Sequence, residues 1–129
     1  MGTLRRYRKK FDQFVVAVKL DLDTEGFTYR KWGGKQKCNK GDWLVDDNGD
    51  IYTINSDTFK ETYSHIGGGK YIKVAKVWAE VATNRGTIKT KEGESHYEPG
   101  DYLVYNKKDK TDGYRVRAEK FESMYELDE

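Results

Sequence analysis

The sequence predicts an α+β domain, mainly antiparallel β and internally duplicated, with strands followed by a helix, twice, in one pseudo-twofold unit. Three recurrences carry this reading. Gly41-Asp42-Trp43-Leu44-Val45 returns as Gly100-Asp101-Tyr102-Leu103-Val104, 59 residues on (41 to 100). Asp50 with Tyr52-Thr53-Ile54 returns as Asp112 with Tyr114-Arg115-Val116, 62 residues on (50 to 112). The aromatic pair Phe59 and Tyr63, at helical spacing, returns as Phe121 and Tyr125. Upstream, Thr28 aligns with Thr87, Arg30 with Lys89 and Gly34 with Gly93. Each copy is too short to bury an adequate core alone, so residues 1–129 are read as a single domain of two repeats. These span about 11–66 and 70–127, joined by the glycines at 67–69.

The elements follow in order. Phe14, Val16, Val18 and Leu20 alternate with other residues, which predicts a strand with those four on its buried face. Glu25-Gly26 turns the chain into a strand from Phe27 to Trp32, ended by Gly33-Gly34. A short segment, Gln36-Lys37-Cys38-Asn39, precedes the first Gly-Asp unit. Asn48-Gly49 is a hairpin signal, because both residues tolerate positive φ. Phe59, Tyr63 and Ile66 then lie at i, i+4 and i+7, one apolar helical stripe. Thr58 with Glu61 has capping-box spacing, and Asn55, Ser56 and Asp57 are further cap candidates. The three glycines stop this helix. Residues 71–82 read as one long strand, 83–86 as a turn and 87–91 as the counterpart of the Phe27–Trp32 strand. Pro99-Gly100 opens the second Gly-Asp unit, and Phe121, Met124 and Tyr125 share a face of a terminal helix.

Bulk composition excludes some classes. Charged residues make up 36% of the chain, and no apolar run approaches the ~18 residues of a membrane span. The basic start (Arg5, Arg6, Arg8, Lys9, Lys10) lacks the apolar stretch of a signal peptide. A single cysteine, Cys38, allows no internal disulfide. A cytoplasmic protein is therefore expected. Net charge is only +2, so the counterion-release argument gives no support to a nucleic-acid partner, which is not expected. Aromatics reach 14%, with ten Tyr and three Trp, enough both for core volume and for a stacking pocket.

The first half resembles a small phage and prophage protein family of unknown function. The resemblance rests on Tyr7-Arg8-Lys9-Lys10, Gly41-Asp42-Trp43, Gly49-Asp50-Ile51-Tyr52 and Phe59-Lys60-Glu61-Thr62-Tyr63. Phe11 stands where that family has proline. The second half, with Glu92-Gly93 and Pro99-Gly100-Asp101-Tyr102, is similar to a bacterial family named for a Pro-Gly-Asp-Tyr-Gly motif, with Leu103 in place of the last glycine. Neither resemblance implies an activity.

The chemistry-bearing residues are sparse. His65, His96 and Cys38 lack the number and spacing of a zinc site, and no cofactor is expected. No nucleophile–base signature appears, and the glycine runs lack Walker spacing. Asp42 and Asp101 recur, which suits a structural turn. The segments that differ between the copies hold the candidate ligand site. Arg30, Lys35, Lys89 and Lys91 are charge-assisted donors for an anion, Trp32 a stacking platform and Gln36 a reader of a polar edge. The alternative is that these residues form the wet face of a strand. The expectation is a non-enzymatic binder of a small anionic ligand, plausibly a nucleotide or cyclic-nucleotide signal, and in a phage setting a sequestering protein. A protein-interaction module is the alternative, and single-stranded nucleic-acid binding ranks last. Oligomeric state is left open.

Overall fold

The computed structural model describes residues 2–128. The sequence recurrence becomes two five-stranded antiparallel sheets, each with a two-stranded hairpin and a short helix. The strands are β1 (Arg5–Lys9), β2 (Val15–Lys19), β3 (Phe27–Lys31), β4 (Gly34–Cys38), β5 (Trp43–Asp47), β6 (Asp50–Ile54), β7 (Tyr63–Gly67) and β8 (Lys70–Lys73). They continue with β9 (Val77–Val81), β10 (Gly86–Lys89), β11 (Glu94–Tyr97), β12 (Tyr102–Tyr105), β13 (Gly113–Val116) and β14 (Tyr125–Leu127). The helices are α1 (Ser56–Thr62) and α2 (Ala118–Met124). One sheet runs β6-β5-β2-β8-β7, the other β13-β12-β9-β1-β14, so the two orders correspond strand for strand.

That correspondence hides an exchange. β1 precedes β2 in the chain but pairs with β9 and β14 in the other half's sheet. β8 precedes β9 but pairs with β2 and β7 in the first half's sheet. Each half thus lends its leading strand to its partner. The seam of the duplication runs through both sheets, and neither half completes its sheet alone.

Several expected elements are redrawn by tertiary pairing. Residues 71–82 are two strands, β8 and β9, in different sheets. The first helix ends at Thr62, because Tyr63 is extended (φ −120°, ψ 149°) and opens β7. Gly67 and Gly68 have positive φ and turn a β7–β8 hairpin instead of ending a helix, and Ile66 is exposed. Tyr125 likewise starts β14 and does not end α2. The cap of α1 is Asn55, whose side chain accepts from the amides of Asp57 and Thr58; the Thr58–Glu61 box is not used. β2 faces the opposite way from the expectation: Val15 and Ala17 are buried, whereas Phe14, Val16 and Val18 are exposed. Ala17 joins Val15, Val45 and Phe59 in the core of the first half.

Each half has the same core. In the first, Phe59 stacks between Trp43 (4.2 Å) and Tyr63 (4.6 Å), with Tyr71 edge-on at 5.1 Å. In the second, Phe121 stacks between Tyr102 (4.0 Å) and Tyr125 (4.7 Å), with Tyr7 edge-on at 4.9 Å. Tyr71 and Tyr7 come from the exchanged strands, so each aromatic quartet fastens one strand from the opposite repeat. The repeated Asp42 and Asp101 are turn residues. Asp42 accepts from the amides of Asn39 and Ser56, and Asp101 from the amide of Glu98. Cys38 is buried, and burial pushes its thiol up, away from the reactive thiolate.

The two hairpins, β3–β4 and β10–β11, interlock, the turn of each lying along the second strand of the other. The Lys37 amide donates to the Glu92 carbonyl, the His96 amide to the Trp32 carbonyl (2.8 Å), and Gln36 bridges to Gly93. A Cβ on Gly93 would collide with the Lys35 carbonyl, so the junction requires glycine there.

Candidate ligand site on the pseudo-twofold axis

The inner faces of the two sheets enclose a cavity of about 360 Å3, within the range of small-molecule sites (about 300–1,000 Å3). Its wall is built from paired residues of the two repeats. Tyr52 and Tyr114 come from β6 and β13, Tyr63 and Tyr125 from β7 and β14, and Lys9 and Lys73 from the exchanged strands. Lys9 lies opposite Tyr125 in its ladder and Lys73 opposite Tyr63, so the lysines hold equivalent positions.

The electrostatics are unusual for so charged a chain. Lys73 is 6% exposed and donates to Asn106 Oδ1 and Tyr114 Oη, both at 2.8 Å. Burial, and then the charge of Lys9, bring its ammonium down to about 7. Lys9 is 9% exposed, with Nζ 5.3 Å from the Tyr125 ring centroid and no hydrogen-bond acceptor among the described residues. Burial lowers it too, against the pull of Asp47. Burial holds the Tyr52, Tyr63, Tyr114 and Tyr125 phenols above their ordinary value, so all four are neutral donors.

Carboxylates close the rest of the wall, held by partners from both repeats. Asp50 accepts from Lys120 (2.6 Å) and pairs with Lys31 (2.8 Å). Burial opposes ionisation of Asp50, but these ammonium bonds outweigh it and hold its carboxyl below the usual range. Its counterpart Asp112 accepts from Thr58 Oγ1 (3.1 Å) and Asn106 Nδ2 (3.0 Å). Asp47 accepts from Tyr52 Oη at 3.1 Å. Glu92 accepts from the Asn55 amide (2.7 Å), and burial pushes it up to about 7.

Trp32 is the expected site residue that lines the cavity. It turns the β3–β4 hairpin with φ +56°, its ring half-buried 5.7 Å from Tyr52 and with Lys31 Nζ 5.4 Å from it. Lys91 lies beside the cavity, donating to Thr58 Oγ1 (2.9 Å), with Asp112 at 3.8 Å. Arg30 and Lys35 face each other across the hairpin, exposed, and Lys89 is exposed on β10; none lines the cavity. Gln36 is fully buried between the hairpins, its Nε2 donating to the carbonyls of Lys31 (3.0 Å) and Glu94 (2.6 Å), which makes it a structural tie. The differing segments do meet, through backbone hydrogen bonds and the buried Gln36 amide.

Sequence reasoning missed Lys9, Lys73 and the four tyrosines. The signal was present: Tyr52/Tyr114 and Tyr63/Tyr125 lie inside the recurrent motifs.

No family model, curated protein or solved structure matches this chain. Among the described residues, no helix is long and apolar enough to cross a membrane, and no group of three His, Cys, Asp or Glu could hold a metal ion.

Proposed function

We propose that the protein is a non-enzymatic binder of a small anionic ligand of the nucleotide class, held in the axial cavity. The observation that carries this reading is Lys9, a residue 9% exposed that lines the cavity, whose ammonium has no hydrogen-bond acceptor among the described residues, with Lys73 at the equivalent position. A buried charge is costly unless paired, and an anion in the cavity supplies the partner that Lys9 lacks. The aromatic wall suits a base or sugar, Trp32 offers a stacking face, and the carboxylates are acceptors for hydroxyl groups. Sequestration of a signalling nucleotide is the role such a binder would play in a phage setting.

Calorimetry and thermal shift against a panel of nucleotides and cyclic nucleotides test the proposal. Stabilisation and stoichiometric binding are expected, and no ligand tighter than about 100 µM, or about 5–6 kcal/mol, rejects it. Trp32→Ala should weaken the ligand found by roughly 5- to 150-fold, from the 1–3 kcal/mol of a stacked base. The half-covered ring should contribute only about 1 kcal/mol to stability. Unchanged affinity would remove Trp32 from the site.

A second reading has its own observation. Phe14, Val16, Val18, Ile51 and Ile66 are exposed on the first half, and clustered apolar exposure favours a protein-interaction surface. Capture of one stoichiometric partner, abolished by Val16→Lys and unaffected by Trp32→Ala, would support it over the ligand reading.

A further inference from the structure

The pseudo-symmetry is broken at one place beside the cavity. On one side of the axis, the Glu92 carboxylate reaches in and accepts from the Asn55 amide. Glu92 aligns with Gly33 (33 to 92, the offset of 59), and Asn55 aligns with Arg117 (55 to 117, the offset of 62). On the other side of the axis there is therefore no carboxylate at the corresponding position. An open groove of about 820 Å3 lies there, walled by Gly33, Arg115 and Arg117, and it shares Trp32, Arg115, Arg117 and Lys120 with the axial cavity. Arg115 stands where the first half has Thr53. Its side chain is 12% exposed, its Nε is buried without an acceptor among the described residues, and its Nη1 is 3.9 Å from Asp101 Oδ2, too long for a hydrogen bond.

We propose that this groove is an anion subsite, in which a phosphate of the ligand takes the place that Glu92 fills in the other half. The inference rests on the ligand reading above and extends it: the ligand carries one anionic group toward Lys9 and Lys73 and a second on Arg115 and Arg117. The sealed side shows the protein using a carboxylate of its own at this position. The open side pairs the absent side chain of Gly33 with two guanidinium groups that its counterpart lacks, and guanidinium is well matched to phosphate oxygens. Carboxylates on the same wall do not fill it. Asp101 is held by the Glu98 amide (3.0 Å), Glu98 lies 3.5 Å from Arg85, and Glu119 is exposed.

The Arg115 Nε–H resonance in a 1H–15N spectrum reads this subsite directly. Titration of the full chain with inorganic pyrophosphate should move that resonance saturably, with half-saturation at about 1 mM or below. Arg117→Gln, confirmed folded by its amide spectrum, should weaken the response at least fivefold. A resonance that stays still up to about 20 mM, or a response that Arg117→Gln leaves unchanged, would overturn the proposal. Its fate is separable from the nucleotide reading. A saturable Arg115 response with a blank nucleotide panel keeps the subsite and rejects the nucleotide. A positive panel with a silent Arg115 does the reverse.

Discussion

Phe59→Ala and Phe121→Ala should each destabilise the protein by about 3–5 kcal/mol, the range for a buried aromatic reduced to a methyl group. Phe59 is 2% exposed and Phe121 1%. Each is the middle ring of a three-ring stack with a fourth ring edge-on, and such pairs add about 0.5–1.5 kcal/mol beyond area burial. Met124 shares the Phe121 cluster and is the flexible side chain able to relax toward that space, so Phe121→Ala should fall toward the lower end of the range. The fourth ring, Tyr71 or Tyr7, belongs to an exchanged strand, so each truncation also loosens the strand joining the two repeats. The two sites lie in separate clusters, and their costs should add within about 0.5 kcal/mol. The double variant would then lose about 6–10 kcal/mol, most or all of the 5–15 kcal/mol typical of a domain. Urea denaturation of the single variants, with an unchanged m-value, provides the measurement. A loss below about 1 kcal/mol at both sites would mean the stacks are not the core.

These phenylalanines mark what was legible in the sequence. Recurrence exposed them, with the Gly-Asp turns and the two sheets, because residues that solve the same packing problem twice are kept twice. The orientation of β2 was not legible. Phe14-Val15-Val16-Ala17-Val18 is apolar on both faces, so alternation offered two registers and local hydrophobicity favoured the wrong one. Ala17 faces inward to join Val45 and Phe59, a condition set by residues far away in the chain. The strand exchange was equally hidden. Arg5–Lys9 is highly charged, and it becomes a strand because two neighbouring strands hold it on both sides.

The site escaped for a related reason. Treating repeated positions as structural and divergent ones as functional singled out the hairpin tips, of which Trp32 reaches the cavity. In a pseudo-twofold molecule, residues near the axis meet their own counterparts. Lys9 with Lys73 and Tyr52 with Tyr114 therefore acquire meaning as pairs only once the axis is placed. The divergent positions contribute by breaking that symmetry, as Gly33 and Glu92 do.

Lys73→Met should remove most of a rise in stability that the ligand-free protein shows between pH 7 and about 10. The Lys73 ammonium is lowered from 10.5 to about 7 in the folded protein, through burial first and the Lys9 charge second. Between those values the unfolded chain holds a proton that the folded one has released, so stability climbs with pH. The slope approaches about 1.4 kcal/mol per pH unit and accumulates to about 4–5 kcal/mol over the window. Lys9, also lowered, acts in the same direction and should leave a smaller residual slope in the variant. Glu92 acts with the opposite sign at lower pH. Its carboxyl, raised from 4.5 to about 7, keeps a proton in the folded state that the unfolded chain loses, so stability falls as pH rises from about 4.5 to 7. Between pH 5 and 9 these groups together place the lowest stability of the free protein near pH 7, where an anion beside Lys9 and Lys73 helps most. Such an anion raises the lysine pKa values, so binding takes up a proton and affinity declines as pH climbs above 7. Denaturation at constant ionic strength at pH 5, 7 and 9, in the native protein and in Lys73→Met, checks the profile. A flat native curve from pH 7 to 9, or the same slope in the variant, would show that Lys73 is not the group held neutral on the axis.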